Sequence, residues 1–252
     1  KRHGAASVQE LREEGYLPAA VRNYLALLGW GLSEDRDVFS LQEMVDAFDV
    51  RQVNANPARF DPKKCEAINA EHVRLLAAED FRDRLVPYLA DAFADPADPE
   101  WTAQPLVSAD TFAELTQREQ EVLTVAAPLI QTRVQLLRES RDMLGFLFVS
   151  DDELVLDEKA VAKLKDSAPQ VLDAAIESLA ALGEGEWQHE RLEELLREAI
   201  VDGLGIKPRL AFGPLRVAVT GRQVSPPLFE SMEILGAESS LARLRSLRAR
   251  LA

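Results

Sequence analysis

Helix start and stop signals recur along this chain, while strand signals are weak. Ser7 with Glu10, and Ser40 with Glu43, form capping-box patterns: a hydroxyl accepts from the backbone three residues on, and a carboxylate reaches back. Asp61-Pro62 places an N-cap residue before a proline at the first helical position, where the missing N–H costs nothing. Gly15, Gly183, Gly203 and Gly221 come just after apolar-periodic stretches, where a glycine can end a helix. Helices are expected over Ala19–Leu28, Leu41–Phe48, Glu79–Phe93, Asp157–Leu164, Pro169–Leu182, Gln188–Val201 and Pro208–Thr220, with two more closing the chain. A helix pair is expected over Ala109–Ala127 and Leu129–Phe148, broken at Pro128. Ala94–Val107, with three prolines, reads as a loop, and Val149–Leu156 alternates only loosely. The expected fold class is all-α, built as bundles of short helices.

At 252 residues the chain can hold two modest cores. Hydrophobic residues at 47% and charged residues at 29% are an ordinary balance for a soluble protein. A single cysteine, Cys65, excludes an internal disulfide and a cysteine-cluster zinc site, and its helical setting makes it a packing residue. No run of 18 apolar residues and no leader pattern is present, so a cytoplasmic location away from membranes is expected. The formal net charge of −14 opposes diffuse affinity for a polyanion. Distribution matters as much as the sum. From Lys207 to Ala252 eight basic residues face three acids, a local excess of +5. Four of those cations, Arg243, Arg245, Arg248 and Arg250, do not share one helix face, which leaves a solvated basic tail as one reading.

Catalytic patterns are missing. His3, His72 and His189 are far apart, and no H-E-x-x-H, G-x-S-x-G or G-x-x-x-x-G-K-[ST] sequence occurs. No metal site is expected. His189-Glu190 reads as a surface pair, and Glu13-Glu14, Asp151-Asp152 and Glu193-Glu194 as solvated faces.

Recognition has better candidates. In GPLRVAVTGRQVSPPLFESMEIL, Gly213 to Leu235, a short apolar helix carries Arg216 and ends at Gly221. Pro226-Pro227 then stiffens the loop before a helix opening on Leu228 and Phe229. An arginine inside an apolar helix needs a partner. A rigid corner presenting Arg216, Ser225, Pro226, Leu228 and Phe229 could hold an unstacked base, since single-stranded RNA is read by stacking and by hydrogen bonds to base edges. The same residues could equally form a core corner. Arg133, in PLIQTRVQLLRES, is a second candidate, with pairing to Glu139 or Asp110 as its plain alternative and Gln131 close by. Arg22, Asn23, Lys63, Lys64 and Arg74 could touch an RNA stem or be simple surface.

Three separated stretches carry a resemblance. PLRVAVTGRQVSPPLFE resembles the C-terminal anticodon-binding region of bacterial-type glutamyl-tRNA synthetases. KRHGAASVQELREEGYLPAAVRNYLALLGWG is similar to the same family where its KMSKS-type loop leaves the nucleotide site. FDPKKCEAINAEHVRLL resembles the family's F-D-x-x-K-L-x-x-x-N-x-x-Y-I-R pattern, departing at Cys65, His72 and Val73. The resemblance implies a stem-contact helical domain over residues 1–77 and an α-helix-cage anticodon-binding region in two subdomains, 78–168 and 169–252. It implies that Arg216 and the loop Ser225-Pro226-Pro227-Leu228-Phe229 contact the anticodon, with Pro227 standing where some members have glycine. Arg133 falls where the last anticodon base is read.

Lys1 would be the remnant of the KMSKS-type loop, catalytic only in an intact parent, where a placed cation stabilises charge on ATP. The implied parent attaches glutamate to tRNA(Glu). No cofactor is expected in this segment, with ATP and Mg belonging to the parent's catalytic domain. The implied partner is tRNA(Glu), with tRNA(Gln) open, and the chain is expected to be monomeric. From another class, a helical scaffold that binds a protein and has no RNA role also fits the acidic composition.

Overall fold

The computed structural model describes residues 7–33, 35–54, 59–93, 105–183 and 185–251. Lys1, and residues 94–104 of the proline-rich loop, lie outside them. Among the described residues there is no strand, only an isolated bridge between Ser33 and Arg36. The backbone divides into two compact units: residues 1–120 with 130–141, and residues 121–129 with 142–252.

The first unit contains α1 (Val8–Glu14), α2 (Pro18–Leu27), α3 (Leu41–Ala47), α4 (Pro62–Arg74) and α5 (Ala78–Leu89). Local chemistry sets their ends. Both predicted capping boxes form, Ser7 with Glu10 and Ser40 with Glu43, and Asp61 accepts from the N–H groups of Lys63 and Lys64. Gly15 closes α1 at φ +97°, and a Cβ there would lie 2.4 Å from the Leu137 backbone nitrogen. Only glycine satisfies both the angle and the approach.

Two buried asparagines tie this unit together. The Asn69 Oδ1 accepts from the Leu17 N–H at 2.7 Å, and its amide donates to the Gln135 carbonyl. The Asn23 Oδ1 accepts from the Phe39 N–H at 3.1 Å and from His72 Nε2 at 2.8 Å, while its amide donates to the Asp37 carbonyl. Burial, reinforced by the nearby Arg22 charge, pushes the His72 imidazole below its ordinary range. Because an amide oxygen only accepts, Nε2 is the nitrogen that donates in this contact. Asn23 is therefore a structural hub, 2% exposed, and not the surface contact the sequence had allowed. Cys65 is fully buried, and burial pushes its thiol up to about 11, as a packing residue requires.

α6 (Gln117–Ile130) corrects one expectation. It starts on a Thr116–Glu119 capping box and runs straight through Pro128. The proline removes one ladder bond in the last turn, but Leu123, Ala126, Ala127 and Ile130 are fully buried along the helix. Beyond Ile130 the chain forms a turn and short pieces, including a 3₁₀ turn Leu137–Glu139 and α7 (Ser140–Leu144), instead of a second long helix.

The second unit holds α8 (Glu158–Ala162), α9 (Ala168–Ala180), α10 (His189–Leu196), α11 (Pro208–Ala211), α12 (Gly213–Thr220), α13 (Leu228–Leu235) and α14 (Ala237–Arg250). α10 continues into a π-helical turn, Arg197–Asp202. α9 packs against α10, α12 and α14, burying Val171, Leu172, Ala175 and Leu179. The expected single helix over Pro208–Thr220 breaks at Phe212, before Gly213-Pro214, into α11 and α12. The loosely alternating stretch 149–156 is not a strand: Ser150 caps a 3₁₀ turn, Asp151–Glu153.

Of the four C-terminal arginines only Arg245 is exposed without a partner among the described residues; the other three are tied to the fold. Arg248 pairs with Asp173 at 2.8 Å and Arg250 with Glu158 at 2.7 Å. Arg243 is 2% exposed. Its Nε donates to Asp151 at 2.6 Å, Nη1 to the carbonyls of Phe146 and Val219 at 2.9 and 3.0 Å, and Nη2 to that of Val149 at 3.1 Å.

Truncating Arg243 to alanine would orphan three carbonyls and a carboxylate. Urea unfolding of R243A is expected to show a loss of about 3–5 kcal/mol. A second prediction concerns pH. His189 Nδ1 lies 2.6 Å from Glu233, and that hydrogen bond raises the imidazole above its ordinary value, opposed by partial desolvation and assisted by the Glu190 charge. A raised folded-state pKa means the contribution is complete below about pH 6.5 and fades as pH climbs through the folded value. The stability gap between the wild type and His189→Gln should therefore be larger at pH 6 than at pH 9.

Candidate nucleic-acid interface

The candidate corner forms between α12 and α13 in the second unit. Gly221 ends α12 at φ +76°, and its N–H donates to the Val217 carbonyl at 2.9 Å. Thr220 Oγ1 donates back to the Arg216 carbonyl at 2.8 Å. The Gly221 carbonyl in turn accepts from Asp157 N–H at 2.8 Å, and Arg222 pairs with Asp142 at 2.6 Å. Pro226-Pro227 then delivers the chain into α13.

Arg216 is half-buried and spans this loop. Its Nη1 donates to Ser225 Oγ at 2.5 Å and to the Pro226 carbonyl at 2.8 Å. Ser225 Oγ also donates to the Pro226 carbonyl. Ser225, Pro226 and Leu228 are buried, while Phe229 is half-buried and meets Phe212 edge-on at 5.2 Å between ring centres. So the sequence's five candidates do come together at one corner. Their exposure differs, however: Ser225 and the Pro226 carbonyl hold the guanidinium from within, and Leu228 is buried at the start of α13.

A cavity of about 610 Å³ opens beside this corner, within the size range of ligand pockets. Lys163, Lys165, Ser167, Phe212, Arg216 and Gln223 are among its lining residues, and among the described residues no carboxylate lines it. That is unexpected in a chain with 43 acidic residues against 29 lysines and arginines. Lys163 and Lys165 carried no signal in the sequence. They lie some fifty residues before Arg216, and the packing of α9 against α12, with the hydrogen bond from Asp157 N–H to the Gly221 carbonyl, brings the segment between α8 and α9 alongside it.

Arg133 belongs to the first unit and sits in the turn after α6. Its side chain is exposed and has no partner among the described residues; neither Glu139 nor Asp110 pairs with it. The backbone around it is pinned. Gln131 Nε2 donates to the carbonyls of Val73 and Leu76 at 3.0 and 2.9 Å, satisfying the end of α4. The Gln135 carbonyl accepts from Asn69, and Leu137 N–H donates to the Gly15 carbonyl at 3.2 Å. Gln131 is thus committed to the fold, and Arg133 is a cation held on rigid backbone. Of the other surface candidates, Arg22 and Lys63 are exposed without side-chain partners among the described residues, whereas Lys64 pairs with Asp37 and Arg74 with Glu71. Among the described residues no cluster of His, Cys, Asp and Glu could hold a metal ion, and no helix is long and apolar enough to cross a membrane.

Residues 80–248 match the family model described as "Anticodon binding domain", and residues 1–67 match the one described as "tRNA synthetases class I (E and Q), catalytic domain". The chain is 55% identical to the glutamate–tRNA ligase of Kineococcus radiotolerans over 251 residues, covering 100% of this chain and 46% of that protein. It is 54% identical to the glutamate–tRNA ligase of Kocuria rhizophila over 252 residues, again covering 100% of this chain and 46% of that protein. The chain therefore spans about half the length of these curated relatives. Its fold also matches the crystal structure of a glutamate tRNA ligase from Elizabethkingia meningosepticum, with a TM-score of 0.72 at 23% identity, covering 96% of this chain and 43% of that one.

Gly221 offers a test of the corner. A Cβ there would lie 2.5 Å from the Val155 carbonyl oxygen, at a positive φ. Gly221→Ala is expected to cost about 1–2 kcal/mol from the left-handed conformation alone, and more from the clash. A lowered urea midpoint at an unchanged slope would report it.

Proposed function

We propose, from the premise that this chain belongs to the anticodon-binding domain family, that it is the tRNA-binding portion of a glutamate–tRNA ligase. In this reading it supplies recognition of tRNA(Glu), while activation of glutamate with ATP and Mg belongs to the rest of the enzyme. The chain by itself would bind tRNA without charging it. One observation carries the reading: an arginine clamped on a rigid Pro-Pro corner lines a cavity bearing three cations and, among the described residues, no carboxylate. Single-stranded RNA needs such a place, with donors for base edges, a ring for stacking and positive charge for the backbone. Arg216 and Phe212 supply the first two.

Arg133 is proposed as a second reading residue. A guanidinium fork can donate two parallel hydrogen bonds to a base edge, and the pinned turn reduces the entropy lost on forming them. Ser225, Pro226, Leu228 and Phe229 act in this proposal by fixing Arg216 and the cavity wall. The proposal also takes the enzyme as a cytoplasmic monomer, with Lys1 belonging to the loop that faces ATP in the intact enzyme. Acceptance of tRNA(Gln) would turn on the base opposite Arg133.

Equilibrium binding of this chain to a tRNA(Glu) transcript tests the reading. Arg216→Ala and Arg133→Ala are each expected to weaken binding by about 1–3 kcal/mol and to relax discrimination among anticodon variants. Affinity unchanged at matched salt would remove the residue concerned from the site.

A further inference from the structure

The cavity beside Arg216 has a wall that base reading does not use. Its lining comes from two remote stretches: residues 208–224, which include the arginine corner, and residues 163–167, which join α8 to α9. Lys163, the C-cap of α8, is exposed, and its Nζ makes one long hydrogen bond of 3.3 Å to the neutral Gln223 amide oxygen. Lys165 is exposed and has no side-chain partner among the described residues. Ser167 lines the same wall, and its hydroxyl caps no helix N–H. The nearest acid in sequence, Asp166, does not line the cavity.

Most arginines of this unit are spent on carboxylates: Arg191, Arg197, Arg222, Arg248 and Arg250 each sit on one. Lys159, Lys207 and Arg245, like Lys163 and Lys165, have none among the described residues, and what sets Lys163 and Lys165 apart is that both line the cavity that Arg216 lines. Where acids outnumber bases so heavily, two lysines among the lining residues of a cavity with no carboxylate among its described lining identify a place that would receive an anion from outside. An ammonium on a flexible stem suits a phosphate as a point charge and does not read base edges. The guanidinium and the aromatic ring at the other wall suit a base.

We infer that Lys163 and Lys165 hold the backbone phosphate of the same unpaired nucleotide whose base meets Arg216, with Ser167 and Gln223 completing the seat. This rests on the reading of the chain as a tRNA-binding portion. It divides the cavity into a wall that reads and a wall that only positions.

The experiment measures affinity for a tRNA(Glu) transcript across a salt series, for the chain as it stands and for Lys163→Gln, Lys165→Gln, the double variant, Lys163→Arg/Lys165→Arg, and Lys159→Gln as a cation outside the cavity. Each transcript is also made with a changed anticodon. The glutamine variants are expected to lose affinity several-fold at low salt, by the same factor for both anticodons, and to flatten the log–log salt slope by about 0.7 per lysine. The arginine variant should keep the slope, and Lys159→Gln should behave as wild type. Unchanged slope and affinity in the double glutamine variant, with Arg216→Ala still losing discrimination, would overturn the phosphate seat and leave the anticodon reading intact. A loss confined to one anticodon would also overturn it, because those lysines would then be reading bases. Absence of tRNA binding by the unaltered chain at low salt would sink the functional reading and the seat together.

Discussion

Arg243 is the contact on which the second unit is built. Its guanidinium is almost fully out of water, yet four of its donor positions are matched to acceptors on two separate stretches of backbone and one carboxylate. An unpaired charge at that depth would be prohibitive, so the arrangement holds only when all the acceptors are in place. Through the carbonyls of Phe146 and Val149 it gathers the segment before Asp151, and through that of Val219 it fixes the last turn of α12. The same stretch continues to Val155 and Asp157, which pack on and hydrogen-bond to Gly221. The corner that carries Arg216 is therefore positioned by a cation on α14 that faces no solvent.

The molecule sorts its cations by work. Arg243 spends its charge internally, and Arg248 and Arg250 close ion pairs on the surface, where each contributes little to stability. Arg133, Lys163 and Lys165 are exposed and have no carboxylate partner among the described residues. An acidic chain that binds RNA cannot rely on a diffuse positive field, so a few placed cations in a cavity with no carboxylate among its described lining are what the composition permits. The local basic excess near the C-terminus is mostly consumed by the fold and is a poor guide to where RNA would sit.

Much of the secondary structure was legible because its causes are local. A Ser or Thr three residues before a Glu, an Asp before a Pro, and a Gly after an apolar stretch each decide a helix end within one turn, and Ser7, Ser40, Asp61, Gly15 and Gly221 all do what their neighbours dictate. Pro128 misled because a proline in the last turn of a well-buried helix removes only one bond, and the buried residues around it outweigh that loss. Asn23 misled for a related reason: beside Arg22 it looks like surface, yet its two-sided amide matches Phe39, Asp37 and His72, which are distant in sequence.

The residues of the corner were legible by type and order, since Arg216, the Pro-Pro loop and Phe229 lie within fourteen positions and the geometry between them is nearly forced. Helix content, the absence of a metal or nucleophile motif, and the family resemblance likewise come from the chain as written. Only tertiary structure could decide which arginine is buried and which is free, that Gln131 seals a helix end while Arg133 faces water, and that Lys163 and Lys165 complete the cavity. Those outcomes depend on desolvation and on partners far away along the chain, and a charge carries no mark in sequence of whether the fold will surround it or leave it in solvent.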